Sequence, residues 1–115
     1  MALDPIPNAV KIAAIFSSSG IMVITMRFEW DPKKAEKNVK KHGITFQEAA
    51  TVFGDPLAMT FQDPDHYVEE ERQLTFGQSL QRRLIVVSHT RRGERTRIIN
   101  ARLMNRNERV IYEEG

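Results

Sequence analysis

Residues 37–43 read KNVKKHG, which puts His42 behind Lys40 and Lys41 and directly before a glycine. An imidazole titrates near neutrality, so His42 with Lys41 could move protons. If a helix ends at Gly43, His42 equally suits a structural role, protonated against the negative end of the helix dipole. Further on, residues 81–110 hold Arg82, Arg83, Arg91, Arg92, Arg95, Arg97, Arg102, Arg106 and Arg109 against Glu94 and Glu108, a local charge of nine minus two, or +7. The net charge of +2 hides this, because Asp63, Asp65, Glu69, Glu70 and Glu71 sit just ahead of the segment. Such a field attracts polyanions; the plainer reading is a solvated arginine-rich surface.

The arginine positions sharpen this reading. Arg97 and Arg102 bracket the β-patterned run RIINAR, where arginine's planar fork can grip a phosphate or carboxylate. In an unbroken strand Arg97 shares a face with Ile99 and Ala101, and Arg102 with Ile98 and Asn100, so both serve one pocket only across a bulge or strand end. Arg72 keeps phase with Leu74 and Phe76 at the edge of an apolar face and needs an anionic partner, whether a phosphate or the adjacent EEE run.

Other chemistries find little support. There is no cysteine, so disulfides, thiolate metal sites and cysteine nucleophiles are excluded. His42, His66 and His89 are far apart and no HExxH pattern occurs, so no metal site is expected; DPDHYVEEER, though carboxylate-rich, reads as a solvated loop. Glycine-rich nucleotide motifs and internal repeats are missing.

These residues must be positioned by one small domain, which is all that 115 residues with 41% apolar content allow. Residues 1–25 differ in composition: the apolar run is broken by SSSG, too interrupted for a signal sequence or membrane span. We read them as an extension ahead of the domain, either unstructured or the product of an upstream start codon, with the domain spanning 26–115. RFEW then forms a first strand. Asp31 and Pro32 start a helix over 33–42, with Ala35, Val39 and His42 on one face and Gly43 as its left-handed stop. Thr45 and Glu48 form a capping box for a second helix whose Phe46, Ala49, Ala50 and Phe53 face the core. LAMTF, RQLTFG, RLIVVSHT and RTRIINAR read as strands, with a hairpin at Gly93, and a last helix from Asn105 carries Val110, Ile111 and Tyr112 toward the sheet. The class is α+β: an N-terminal strand and two helices, a mainly antiparallel four- to five-stranded sheet, and a C-terminal helix.

Cutting RNA without a metal requires a base for the 2′-hydroxyl, an acid for the leaving 5′-oxygen and cations for the phosphorane. Histidine, lysine and arginine suffice for these tasks.

The ordered segments FEWDPKKAEKNVKKHGITFQEAATVFGDP, EEER, FGQS, LIVVSHTRRG, RIINAR and ERVIYE resemble the BrnT toxin family over residues 26–113. The resemblance implies a RelE-like fold and a cytoplasmic endoribonuclease that inhibits translation. It also implies a cognate BrnA-type DNA-binding antitoxin, a homodimer within the toxin–antitoxin complex, and no cofactor or membrane. The catalytic candidates it suggests are His42, Lys41, Arg72, Arg97 and Arg102; for RNA binding they are Arg91, Arg92, Lys37 and Arg109. Asn100 stands where the family pattern suggests serine, and Arg91 where it suggests glutamate. Two other readings compete: a non-catalytic RNA- or ribosome-binding module, and an arginine face built to meet an acidic antitoxin segment.

Overall fold

A computed structural model describes the backbone of residues 8–17, 20–65 and 71–115, and the side chains among these from residue 26 onward. His66, Glu69 and Glu70, and with them part of the carboxylate-rich segment, lie outside the described residues. The elements are β1 (Asn8–Ser17), β2 (Gly20–Glu29), α1 (Pro32–His42), α2 (Phe46–Thr51) extended by a 3-10 turn (Val52–Gly54), β3 (Met59–Gln62), β4 (Arg72–Gln78), β5 (Leu84–Arg92), β6 (Arg95–Leu103) and α3 (Arg106–Glu114). One six-stranded sheet runs β1-β2-β6-β5-β4-β3. Only β2 and β6 pair in parallel; the other neighbours are antiparallel. The α+β class and the element order from the first strand to the C-terminal helix are those expected. The sheet is wider than four or five strands because Asn8–Ser17 pairs with β2, and RFEW is the end of that longer strand.

Alternate residues of β5 show how the layers are built. Ile85 and Val87 point into a core closed by Ile44, Phe46, Ala49, Ala50 and Val52 from the α1–α2 side, while Val86 points the other way, against Phe76, Met104 and Tyr112 under α3. His89 shares the first face, 6% exposed, with its Nε2 2.7 Å from the Thr75 hydroxyl and its ring 4.9 Å from that of Phe53. It is a core histidine, and burial pulls it down to about 4.

The first helix begins and ends as its caps dictate: Asp31 accepts from the Lys33 amide, Pro32 occupies the first turn, and Gly43 adopts φ 70°. Its packing face is not the expected one. Val39 is 44% exposed, and the buried residue is Asn38. Pairing of β2 with β6 stops at Glu29 and Arg97, so β6 runs on with an uncovered edge, and α1 lies along it. The Asn38 amide donates to the carbonyls of Ala101 and Ile44, both at 2.9 Å, and accepts from the Ala101 N–H at 3.0 Å. A hydrophobic stripe cannot satisfy such an edge, and a side-chain amide can.

Two further expectations change. Thr45 caps α2 by accepting from the Glu48 amide, but the Glu48 carboxylate turns inward, accepting from Ser79 Oγ and Arg83 Nε, each at 2.8 Å. Arg83 also donates to the Gly43 carbonyl at 3.0 Å, which ties the end of α1 to the β4–β5 turn. In α3 the full capping box, Asn105 with Glu108, does form. Val110 and Ile111 are each 45% exposed, so Tyr112 is the α3 residue that packs toward the sheet, its hydroxyl donating to Asp55 at 2.5 Å. The helix is held by polar contacts at both ends, which relieves its apolar residues of that task.

Replacing Asn38 by alanine strands buried backbone groups of Ala101 and Ile44, each costing on the order of 1–3 kcal/mol. We expect Asn38→Ala to lower stability by about 2–4 kcal/mol, read as a lower urea midpoint at unchanged slope. The unfolded chain protonates His89 below about 6.5, whereas the folded chain resists down to about 4. Stability therefore falls as pH drops through that window, by roughly 3 kcal/mol in all. His89→Gln, which keeps a partner for Thr75, should flatten most of that slope in urea titrations repeated across the window; an unchanged slope would contradict a neutral buried imidazole.

Candidate active site

The strand parity that separates Arg97 from Arg102 is broken by a bulge. Ser88 pairs with Asn100 and His89 with Ile98, leaving Ile99 as the extra residue of β6. Arg97, Asn100 and Arg102 then oppose Thr90, Ser88 and Val86, alternate residues of β5, so all project from the face on which α3 lies. Arg72 of β4 also opposes Thr90 and joins them there. Three of the arginines picked from sequence thus occupy one sheet face, with α3 covering only its Phe76–Val86 end.

Arg97 and Arg102 hold carboxylates of the described residues. Arg97 Nη1 lies 2.5 Å from Glu29 Oε2, its in-register neighbour on β2. Arg102 forms a two-pronged pair with Glu108 of α3 at 2.7 and 2.8 Å. That pair raises the affinity of Arg102 for its proton and holds Glu108 below the usual carboxylate range. A fork fixed in this way is pre-oriented, at the cost of a competitor for any incoming anion. Neither glutamate is marked by the sequence as an arginine partner, because pairing between distant strands and helices leaves no local pattern.

Beside this face, along the uncovered edge of β6, Lys34, Lys37, Asn38, Lys41 and His42 of α1 and Ile99 and Asn100 of β6 enclose a cleft of about 180 Å³. The i, i+3, i+4, i+7 spacing of 34, 37, 38 and 41 lines one side of it with lysines. Asn38 sets its geometry by clamping α1 to Ala101. His42, half-buried at the end, has its pKa lowered first by desolvation, then by the charges of Lys41 and Arg102. These effects favour the neutral imidazole, so of the two roles open to His42 the base is favoured over the cation on the helix dipole. A neutral imidazole among cations can accept a proton from a hydroxyl held there. Asn100 belongs to both the cleft and the arginine face and joins them.

The remaining candidates scatter. Lys37 lines the cleft and Arg92 ends β5 on the arginine face, where it pairs with Arg95. Arg91 is in register with Thr96, on the opposite face, and its Nε donates to the Gly93 carbonyl. Arg109 turns back to the Met104 carbonyl at 3.2 Å. The structure does not bring these last two to the cleft.

Residues 30–108 match the family model described as the ribonuclease toxin BrnT of type II toxin–antitoxin systems. The chain belongs to the BrnT family. Among solved structures, the Brucella abortus ribonuclease toxin BrnT superposes with a TM-score of 0.56 at 26% identity, over 71% of this chain and all of that one. No curated protein matches significantly. The family match spans the whole cleft, all three arginines and Glu108, with Glu29 one residue outside it, and it supports ribonuclease activity. No helix among the described residues is long and apolar enough to cross a membrane.

Because Lys41 and Arg102 both depress the His42 pKa, Lys41→Gln and Arg102→Gln should each raise it, the former by more. An NMR titration of the imidazole reads this directly, and no change in either variant would place His42 away from those charges.

Proposed function

We propose that this chain is an endoribonuclease toxin that cleaves RNA without a metal ion, inhibits translation, and is neutralised by a BrnA-type DNA-binding antitoxin. The observation carrying this reading is His42 at the end of a lysine-lined cleft that meets the arginine face at Asn100. His42 takes the proton of a 2′-hydroxyl, and that oxygen attacks the adjacent phosphorus. The bond to the 5′-oxygen breaks as Lys41 returns a proton, leaving a 2′,3′-cyclic phosphate and a free 5′-hydroxyl. Arg102, Arg97 and Arg72 hold the phosphate oxygens, a task in which losing one donor typically costs on the order of 100–1,000-fold in rate. Lys37 and Arg92 extend the contact with RNA.

A second reading is a module that binds RNA or a ribosomal site without cutting it. It draws support from the engagement of Arg97 and Arg102 by Glu29 and Glu108, which must be displaced or shared before phosphate is gripped. The same arginine face, exposed beyond α3, suits an acidic segment of the antitoxin, and we place toxin, antitoxin and a toxin homodimer together in the cytoplasm.

The deciding experiment is cleavage of a labelled single-stranded RNA in excess EDTA by the wild type, His42→Ala and Arg97→Ala. We expect cleavage by the wild type alone, with about 100-fold or greater loss in either folded variant. Intact RNA that nonetheless binds in a salt-sensitive manner would establish the second reading.

A further inference from the structure

The far end of the arginine face, away from the cleft, holds an arrangement that folding alone disfavours. Arg27 of β2 is in register with Arg95 of β6, and Arg95 with Arg92 of β5, so three arginines stand side by side on three adjacent strands. Like charges placed directly opposite one another destabilise a sheet. Local carboxylates relieve this row only in part: Glu94 lines a pocket with Arg27 but forms no ion pair with the row among the described residues. Glu29 lies 3.9 Å from Arg95 but is held more closely by Arg97. Among the described residues Arg27 and Arg92 form no ion pair, and the β1 residue in register with Arg27 is the uncharged Ala9.

The row is built on rigid backbone. Arg92 and Arg95 close the two-residue hairpin of Gly93 and Glu94, where Gly93 takes φ 62°, the conformation that lets glycine lead such a turn. Three strands about 4.8 Å apart set the guanidinium groups in a line roughly 10 Å across. Arg92 and Ser88 are four residues apart on β5, and Ser88 opposes Asn100, so the row lies about 13 Å from the cleft. That is too far to touch the phosphate being cut and suits one further along the same strand.

We propose that Arg27, Arg95 and Arg92 form a second phosphate-binding subsite, which holds the backbone of single-stranded RNA beyond the cleavage cleft. The inference rests on the reading of this protein as acting on RNA. The row supplies length-dependent affinity, while Asn100 and the cleft hold the reacting nucleotide. An acidic protein segment is the alternative occupant; the concentration of planar forks in a line, with no apolar anchor between them, favours a phosphodiester chain.

The test is binding of a fluorescein-labelled single-stranded RNA of about twelve nucleotides, within the ~4–16-nucleotide footprints of single-strand binders. Methylation of every 2′-oxygen blocks cleavage of this probe. Arg27→Gln/Arg95→Gln is compared with wild type and with Lys33→Gln/Arg106→Gln, which removes the same charge from exposed helix positions away from the row. We expect the row variant to bind at least about tenfold more weakly and to lose roughly 1.4 from its log–log salt slope, about 0.7 per lost phosphate contact, with the control close to wild type. Its melting temperature should stay level or rise, since repulsion is relieved; a merely structural row would lower it. Equal losses in both variants, or wild-type binding by the row variant, would overturn the subsite. So would unchanged RNA binding with lost binding of a labelled oligoglutamate peptide, which would make the row a protein-docking surface. With unmethylated RNA, failure of the wild type to cleave would refute the ribonuclease reading and leave the subsite standing.

Discussion

Where β2 stops pairing at Glu29, β6 continues with backbone groups that a further strand would ordinarily satisfy, and the Asn38 side chain satisfies them instead. Its amide meets the N–H and C=O of Ala101 and reaches the Ile44 carbonyl beyond the end of α1. The arrangement of the site follows from this contact. The helix is fixed along the edge of the sheet, its lysine strip faces the bulge at Ile99, and His42 comes to rest beside Arg102. Glu48, Ser79 and Arg83 reinforce the same junction by holding the Gly43 carbonyl from the far side.

Electrostatically the molecule divides into a neutral core and a one-sided cationic surface. His89 is buried neutral, and the Glu48–Arg83 pair neutralises itself within the frame. Among the described residues, the sheet face on which α3 lies instead gathers Arg27, Arg72, Arg92, Arg95, Arg97 and Arg102, with Glu29 and Glu108 paired to Arg97 and Arg102. Clustering of one sign raises the local potential and steers polyanions, while the two glutamates hold selected forks in fixed orientations. The Glu108 pair also links α3 to the site, because the helix is held by its termini and by Tyr112 more than by an apolar face. Ion pairs thus engage Arg97 and Arg102 toward the α3 end of the face, whereas Arg27 and Arg92 nearer the hairpin form none among the described residues.

Much of the fold was legible because its signals are local. Asp31, Pro32 and Gly43 delimit α1, Asn105 and Glu108 start α3, and the alternation in β4, β5 and β6 is plain, since caps, turns and period-two patterns act within a few residues. The KKHG segment and the arginine-rich strands also stand out locally by residue type. The misreadings share a cause. Val39 and Val110 were assigned to buried faces by helical spacing, and Glu48 to a capping box by its position, yet each orientation is decided by partners distant in sequence.

From residue 26 onward the sequence by itself determined the element types, the class and the concentration of arginine and lysine, which also carry the resemblance to BrnT toxins. Tertiary structure alone decided that Arg97 and Arg102 share a face, because one bulged residue reverses strand parity. It alone set Arg27 beside Arg95 and paired Arg97 with Glu29, because the parallel register of β2 on β6 joins residues about seventy positions apart. And it alone lowered the His42 pKa through burial and Arg102, because desolvation and that charge arise only when α1 lies against β6. Such long-range pairings leave no trace in local spacing, which is why the residue types were legible in the sequence and their geometry was not.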